Sequence, residues 1–287
     1  MYFQRTIRKK VECRGVGLHT GKTVYLSLSP ALENTGVVFV RKDMDGFEVK
    51  ALLANYGKAN YATCLEKDGV RINTAEHLLA ALYALGVDNI RVEMDGDEIP
   101  IMDGSSIPFV HLIHEAGLQE QNEPRLYLVI SRPISVEEEE DKRVSIYPCG
   151  EYRVTYAIDF EHPILGYQEL TASLWGVQAF TEKIAPARTF TLERDIASLR
   201  KAGLVKGGSL DNAVVISKNG ILNESLRFQD EFVRHKILDL TGDLSLIGRP
   251  IKGHVIAYRA GHDLHARLAM KIMDEKKSWY FSRWIPN

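Results

Sequence analysis

The sequence predicts an α+β protein built from two similar halves. Each half contains a predicted helix with a histidine, His77 or His235, followed by a glycine, a strand, a glycine turn and a second helix. This repeated order indicates a duplicated α+β unit. A polar, proline-ended segment, 119–124, lies between the halves. We therefore expect an N-terminal domain over 1–122 and a C-terminal domain over 126–287.

The composition is that of a globular protein with room for two cores. The chain has 287 residues, of which 45% are hydrophobic and 26% charged. A net charge of -2 argues against a general nucleic-acid binder. No apolar signal core or run of about 18 apolar residues is present, so we expect neither export nor a membrane span. Three widely spaced cysteines suggest no disulfide framework, and a cytoplasmic location is expected.

The chain begins with a predicted hairpin. Residues 4–13 and 23–30 alternate polar and apolar side chains, and the glycine-rich 15–21 joins them. No helix follows these glycines, so they are not a dinucleotide fingerprint. His19 lies in this turn, and its role is either purely structural or functional. Further strands are expected at 36–40, 62–65 and 89–94.

Residues 74–86 predict the first helix, with Thr74 as its N-cap and Gly86 at its C-terminal end. Glu76 and His77 fall in its first turn. A glutamate there is favoured by the helix dipole. The helix is otherwise very apolar, so an unpartnered imidazole at His77 would be hard to accommodate.

A second helix, 108–116, closes the first half. His111 and His114 have a spacing that could clasp a metal ion, but they lie opposite the apolar side of this helix. We therefore expect both to face solvent.

The second half begins with a set of predicted strands. They cover 126–130, 134–137, 143–147 and 152–158. The acidic run 137–141 is expected to be a solvated turn. Residues 174–186 are unusually apolar for a connection, and either line an apolar ligand channel or form an ordinary core strand and helix. A helix is expected over 193–202, and another begins near Glu231.

In the helix near Glu231, His235, Asp239 and Asp243 recur at every fourth residue and so share one face. The residues between them are apolar, which suggests that the carboxylates are partly buried. A buried carboxylate requires a cation or hydrogen-bond donors. His and Asp at one-turn spacing suit a divalent metal. The alternative is an exposed polar stripe that carries chance acids.

His77 combined with His235 and Asp239 gives two histidines and one carboxylate with a fourth position open, as in catalytic zinc sites. Glu76 could then accept a proton from water, and His262, which opens the last helix, could act from the opposite side.

Asp243 could hold His262 and favour its imidazolium form. No His-Glu-x-x-His motif is present, so spacing alone leaves other functions open. A nucleotide- or RNA-binding protein with a zinc clamp and a zinc amidase for another acylated substrate are the two alternatives.

Seven segments of the chain together resemble a known family, the zinc-dependent UDP-3-O-acyl-N-acetylglucosamine deacetylases of lipid A biosynthesis in Gram-negative bacteria. The resemblance covers nearly the whole length of the chain. The matching segments are 15–21, 74–78, 98–105, 187–190, 207–209, 234–239 with 242–244, and 261–262.

The resemblance implies two repeated two-layer α/β sandwich domains, of the ribosomal protein S5 domain 2-like type, with the active site between them. It implies removal of the N-acetyl group from UDP-3-O-(3-hydroxyacyl)-N-acetylglucosamine, the committed step of lipid A biosynthesis. The implied zinc ligands are His77, His235 and Asp239. The implied catalytic residues are Glu76 as general base, His262 as electrophile or general acid, Thr189 as oxyanion donor and Asp243 as the residue that orients His262.

The resemblance also implies how the acylated UDP-sugar binds. The implied substrate-binding residues are Lys236, Phe190, Gly261, Arg259 and His19, and the apolar insert around 174–186 would help form an acyl tunnel. We expect a monomer without nucleic-acid partners or stable membrane insertion. Two residues depart from the family, His265 where Asn is common and Tyr61 where some members carry His. The aromatic segment 279–284 either touches a membrane surface or packs against its own protein.

Overall fold

The computed structural model describes residues 2–58, 61–138 and 141–283. The elements of the first half are β1 (Phe3–Ile7), β2 (Val11–Val16), β3 (Thr23–Pro30), β4 (Val37–Arg41), β5 (Phe47–Lys50), β6 (Tyr56–Gly57), β7 (Cys64–Lys67), β8 (Val70–Ile72), α1 (Glu76–Leu85), β9 (Ile90–Met94), α2 (Ile107–Ala116) and β10 (Leu118–Pro124).

The second half follows directly. Its elements are β11 (Leu126–Ile130), β12 (Ile134–Glu138), β13 (Lys142–Tyr147), β14 (Tyr152–Asp159), β15 (Tyr167–Ser173), α3 (Val177–Lys183), β16 (Phe190–Leu192), α4 (Glu193–Lys201), β17 (Val214–Ser217), β18 (Gly220–Ile221), α5 (Glu231–Leu244), β19 (Ile251–Tyr258), α6 (His262–Asp274) and β20 (Trp279–Arg283). Short 3₁₀ turns occupy Lys42–Met44, Leu53–Asn55 and Ser245–Ile247.

The two halves share one sheet arrangement. In the first half the strand order is β2-β3-β9-β4-β5, with β9 antiparallel to β3 and parallel to β4. In the second half β19 is likewise antiparallel to β13 and parallel to β14, and the hairpins β12/β13 and β14/β15 flank it. In each half a helix, α1 or α5, precedes the central strand. The predicted α+β duplication is therefore confirmed.

The sheets alternate buried and solvent-facing side chains, as their sequence pattern predicts. In β3, for example, Val24, Leu26 and Leu28 are almost fully buried. They belong to one hydrophobic cluster with Leu78 and Leu79 of α1. This cluster fixes α1 against its sheet, and with it the histidine-bearing end of the helix.

Helices α1 and α5 pack against each other along the junction of the two halves. They come very close at Gly242, where a Cβ atom would lie 2.2 Å from the backbone oxygen of Glu76. Only a residue without a side chain allows this distance. Gly242 therefore sets the spacing between the helix that carries His77 and the helix that carries His235.

We expect Gly242→Ala to lower the free energy of unfolding by about 1–3 kcal/mol, because the added methyl group must push the helices apart. Denaturant unfolding would measure this change. Gly150→Ala is the matched control, since a Cβ there meets nothing within 4 Å. Equal stability of the two variants would contradict the spacing role of Gly242.

Two segments differ from their predicted structure. Residues 4–13 contain two strands, because β1 pairs with β10 whereas β2 pairs with β3. The polar segment 119–124 lies in β10 itself, where Gln121 receives a hydrogen bond from the amide of Asn89 at 2.8 Å. The composition suggested a linker, but tertiary pairing forms a strand. The domain limits 1–122 and 126–287 stay predictions.

The aromatic C-terminal segment packs in part against its own protein. Strand β20 pairs with β11, and the indole N–H of Trp279 donates to the carbonyl of Ile272 at 2.6 Å. Tyr280 and Phe281 are exposed, and Trp284 lies outside the described residues. Among the helices in the described ranges, none is long and apolar enough to cross a bilayer.

Candidate active site

The first turn of α1 carries Glu76 and His77 into the junction of the two halves, and both side chains are almost fully buried. The prediction that Thr74 is the N-cap of α1 is wrong. Ala75 occupies that position without a side-chain cap, and the Thr74 hydroxyl instead donates to Oε1 of Glu98 at 3.1 Å. Thr74 has a φ of 58°, which is strained for a β-branched residue. Such strain is commonly found at functional sites.

Opposite this turn, α5 brings His235 and Asp239 next to His77. Oδ1 of Asp239 lies 3.3 Å from Nε2 of His235 and 3.7 Å from Nε2 of His77. The two imidazole rings meet edge to face, with centroids 5.0 Å apart. All three side chains are buried, and one ligand atom from each lies within 4.8 Å of the others.

The protonation of this group points to a cation. Burial lowers the pKa of His235 and lowers that of His77 to about 3, so both rings are neutral. Nδ1 of His235 donates to the carbonyl of Ala187 at 3.0 Å, which leaves the lone pair of Nε2 facing Asp239. A lone pair facing a carboxylate oxygen is unfavourable unless a positive ion lies between them. The donor set therefore fits a divalent metal.

Asp239 is a carboxylate in this setting. Burial alone raises its pKa, but the basic groups around it, the Lys236 ammonium among them, lower the pKa of Asp239 overall. Nζ of Lys236 donates to Oδ2 of Asp239 at 2.8 Å. One carboxylate oxygen thus binds the lysine, and the other faces the two imidazoles.

Two groups suited to proton transfer lie beside the candidate metal ligands His77, His235 and Asp239. Burial raises the pKa of Glu76 to about 7. Burial alone lowers the pKa of His262, but Asp243 outweighs it and raises that pKa to about 9. Nδ1 of His262 lies 2.8 Å from Oδ2 of Asp243. Near pH 8 the site therefore holds a deprotonated base and a protonated acid.

His265 shares the carboxylate that holds His262. It is fully buried, and its Nδ1 lies 2.7 Å from the same Oδ2 of Asp243. Its Nε2 lies 3.1 Å from the hydroxyl of Tyr156. Burial lowers the pKa of His265. His265 thus gives Asp243 a second imidazole partner.

A cavity of about 900 Å³ opens over these residues. Its polar lining includes the candidate metal ligands His77, His235 and Asp239 together with Lys142, Arg259 and Lys236. Its apolar lining comes from Ile196, Leu199, Val205, Leu210, Ala213, Val215 and Leu222.

The expected tunnel segment does not line this cavity. Among the described lining residues none comes from 174–186. That segment forms α3 and its flanks, where Phe180, Ile184 and Ala185 are fully buried in the core. The prediction that it helps form an apolar channel is therefore wrong. The alternative, that this segment belongs to the hydrophobic core, agrees with the structure. The apolar lining is provided by the elements from Phe190 to Leu222.

The comparisons with known proteins agree on one family. Residues 4–274 match the family model described as LpxC, UDP-3-O-acyl N-acetylglycosamine deacetylase. A protein of Myxococcus xanthus named UDP-3-O-acyl-N-acetylglucosamine deacetylase is 48% identical over 276 residues, 96% of this chain and 87% of the relative. Proteins of the same name from Solibacter usitatus and Saccharophagus degradans are 47% and 44% identical, and the matches cover 96% and 97% of this chain and 92% and 93% of the relatives.

The chain belongs to the LpxC family. This membership confirms the resemblance and the predicted class of activity, a deacetylase of lipid A biosynthesis. LpxC proteins are metalloenzymes, and the His77, His235 and Asp239 group is where this chain could hold the metal.

The LpxC fold brings the predicted site residues of this chain together. All but Asp243 line the cavity, namely Glu76, His77, His235, Asp239, His262, Thr189, Phe190, Lys236, Arg259, Gly261 and His19. Asp243 lies behind His262. The exposed His111 and His114 face solvent, as expected. The roles of the cavity residues stay predictions.

Sequence reasoning gave no role to two buried residues of this LpxC chain. Glu98 has no exposed surface and receives the backbone N–H groups of His19 and Thr20, each at 2.8 Å. It thereby holds the glycine-rich turn over the cavity. Its neighbours in sequence are typical of a solvated turn, so composition alone gives no sign of this role. Thr63, which contacts Glu76 and Asp243, was the second.

Proposed function

We propose that this chain removes the acetyl group from the 2-amino nitrogen of UDP-3-O-(3-hydroxyacyl)-N-acetylglucosamine. Water and the amide become acetate and the free amine. The observation that supports this most directly is the buried group of two neutral imidazoles and one carboxylate, in a cavity that has both polar and apolar lining. The polar lining suits a nucleotide sugar and the apolar lining suits an acyl chain.

Zn²⁺ is the metal that this donor set favours, because two imidazoles and one carboxylate with an open position are typical of catalytic zinc. His77, His235 and Asp239 would hold it. When bound, it supplies a Lewis acid that polarises the amide carbonyl and activates water. The hydrogen bond from His235 to the carbonyl of Ala187 fixes the ring orientation that ligation requires.

The side chains of the protein divide the proton transfers. Glu76 accepts the proton of the water whose oxygen forms the new bond to the acetyl carbon. His262, held as an imidazolium by Asp243, donates a proton to the amine nitrogen as the carbon–nitrogen bond breaks. The hydroxyl of Thr189 donates to the oxyanion that develops between these steps. The backbone N–H of Thr189 donates to the carbonyl of Gly104 at 2.8 Å, and this hydrogen bond fixes Thr189 at the cavity wall.

Binding of the substrate would use both kinds of cavity lining. Lys236, Arg259 and Lys142 supply positive charge toward a diphosphate. Phe190 packs near Lys236, whose Nζ lies 5.8 Å from the ring centroid, and together with Gly261 and His19 would shape the sugar site. The acyl chain would lie against Leu199, Leu210 and their apolar neighbours. Cytoplasmic location and a monomeric state are part of the proposal.

The test is deacetylation of the acylated UDP-sugar before and after removal of metal. We expect release of acetate by the purified protein, loss of activity after treatment with a chelator, and recovery with added Zn²⁺. The same nucleotide sugar without its acyl chain is the control and should react more slowly, because the apolar part of the cavity stays empty. Absence of acetate release, or activity that survives complete metal removal, would overturn the proposal.

The pH dependence of kcat/KM should be bell-shaped. Glu76 must be deprotonated to act as base, so activity should fall as pH drops through about 7. His262 must be protonated to act as acid, so activity should fall again as pH rises through about 9. Steady-state rates from pH 5 to pH 10 would measure both limbs. A profile that is flat across this range would contradict the pairing.

A further inference from the structure

Thr63 connects the two proton-transfer groups of the site. It lies just before β7 and has no exposed surface. Its backbone N–H donates to Oε2 of Glu76 at 2.9 Å, and its hydroxyl donates to Oδ1 of Asp243. Its carbonyl oxygen accepts the N–H of Ala75 at 3.2 Å. One residue thus binds a carboxylate from each half of the chain.

The two carboxylate oxygens of Asp243 have different hydrogen-bond partners. Oδ2 of Asp243 is taken by His262 and His265, at 2.8 Å and 2.7 Å. Among the described residues, only the hydroxyl of Thr63 donates to Oδ1. Asp243 is 2% exposed, so bulk water has little access to replace that donor. The hydroxyl therefore fixes the rotation of the carboxylate that in turn orients the ring of His262.

The backbone contacts hold Glu76 in the same way. Because the N–H and C=O of Thr63 bind the Glu76 carboxylate and the Ala75 amide, the entry to α1 cannot shift without moving Thr63. The hydroxyl of Thr63 also lies 3.3 Å from Nδ1 of His262. The separation between Glu76 and His262 is thus set through a single small side chain and its own peptide group.

We propose that Thr63 is a positioning residue for the deacetylation, which holds the Glu76 carboxylate and the Asp243–His262 pair in register across the two halves. This inference rests on the proposed function. The competing explanation is a buried threonine whose hydroxyl only satisfies a hydrogen bond and supports the fold. The two explanations differ in whether loss of the hydroxyl changes turnover at unchanged stability and metal content.

Thr63→Val tests the proposal, because it keeps the shape of the side chain and removes the donor. We expect kcat to fall roughly 10- to 100-fold with KM nearly unchanged, since a small misplacement of catalytic groups has effects of this size. Thr63→Ser restores the hydroxyl and should recover most of kcat. Thr241→Val is the matched control, because Thr241 lies on α5 and is as buried as Thr63. Its hydroxyl donates to the carbonyl of Ile237 in its own helix, at 2.8 Å. It should keep the wild-type rate.

Metal content and thermal unfolding of each variant accompany the kinetics. A kcat for Thr63→Val equal to that of Thr241→Val, or an equal loss in Thr63→Ser and Thr63→Val, would overturn the proposal. Should Thr63→Val fail to fold, Thr63→Ala against Thr63→Ser gives the same comparison.

Proton NMR of the His262 imidazole separates this inference from the proposed function. The N–H that bonds Asp243 should give a downfield resonance that moves in Thr63→Val and returns in Thr63→Ser. Wild-type protein without deacetylase activity would overturn the function, while a moved resonance would still support the positioning of His262. An unmoved resonance would overturn the positioning whatever the activity.

Discussion

Replacing Glu76 with Gln is expected to lower deacetylase turnover by roughly 10²- to 10⁴-fold, because general base catalysis contributes a factor of this size. Glutamine keeps the size of the side chain, and its amide oxygen can still accept the N–H of Thr63. The fold and the metal content should therefore stay unchanged. Acetate release, metal analysis and thermal unfolding, measured on the same preparation, would test this combination.

This variant also separates an enzyme from a protein in which the metal only clamps the halves together. A clamp does not use Glu76, so Glu76→Gln would leave every property unchanged. Glu115→Gln is the matched control, since Glu115 is exposed on α2 and is not among the residues that line the cavity. Wild-type turnover in Glu76→Gln would remove the general base from the mechanism.

His262→Ala should lower turnover by a similar factor, roughly 10² to 10⁴, while the protein keeps its metal. In the proposed mechanism the imidazolium of His262 protonates the amine, and His262 is not among the predicted metal ligands. The residual activity should also lose the decline near pH 9, because the group responsible for it is absent. Steady-state kinetics across pH and metal analysis would measure both effects.

His114→Ala, on the solvated face of α2, is the control for the loss of an imidazole. Normal turnover in His262→Ala, or loss of bound metal, would show that His262 is not the acid. In the second case its role would be ligation.

The parts of the site that lie on one helix could be predicted from the sequence. His235, Asp239 and Asp243 are spaced by helix geometry, so their common face follows from periodicity alone. Helix α6 begins at His262 as expected, because Gly261 precedes it. The duplicated order of elements predicted the repeated sheets as well, since each unit carries its own hydrophobic pattern.

The parts that depend on distant contacts could not be predicted. Thr74 has the composition of an N-cap, but its partner Glu98 is 24 residues away. Gly242 gives no local sign that it faces the backbone of Glu76. The apolar segment 174–186 also shows the limit of composition, because a wall of a cavity and a buried core segment have the same apolar side chains. Only the packing of the whole chain distinguishes them.

The helix contact at Gly242 joins two helices, α1 and α5, that occupy corresponding places in the two halves but carry different side chains. His77 and His235 lie on corresponding helices of the two halves, but the residues four and eight positions after His77 are Ala81 and Leu85. The residues at the same distances after His235 are Asp239 and Asp243. A pairing of two first halves would offer the imidazoles no aspartate ligand, and a pairing of two second halves would place four aspartates beside them. The mixed pair gives the two imidazoles and one aspartate of the candidate metal site. The site therefore depends on the difference between the two helices, and two copies of either half would not reproduce it.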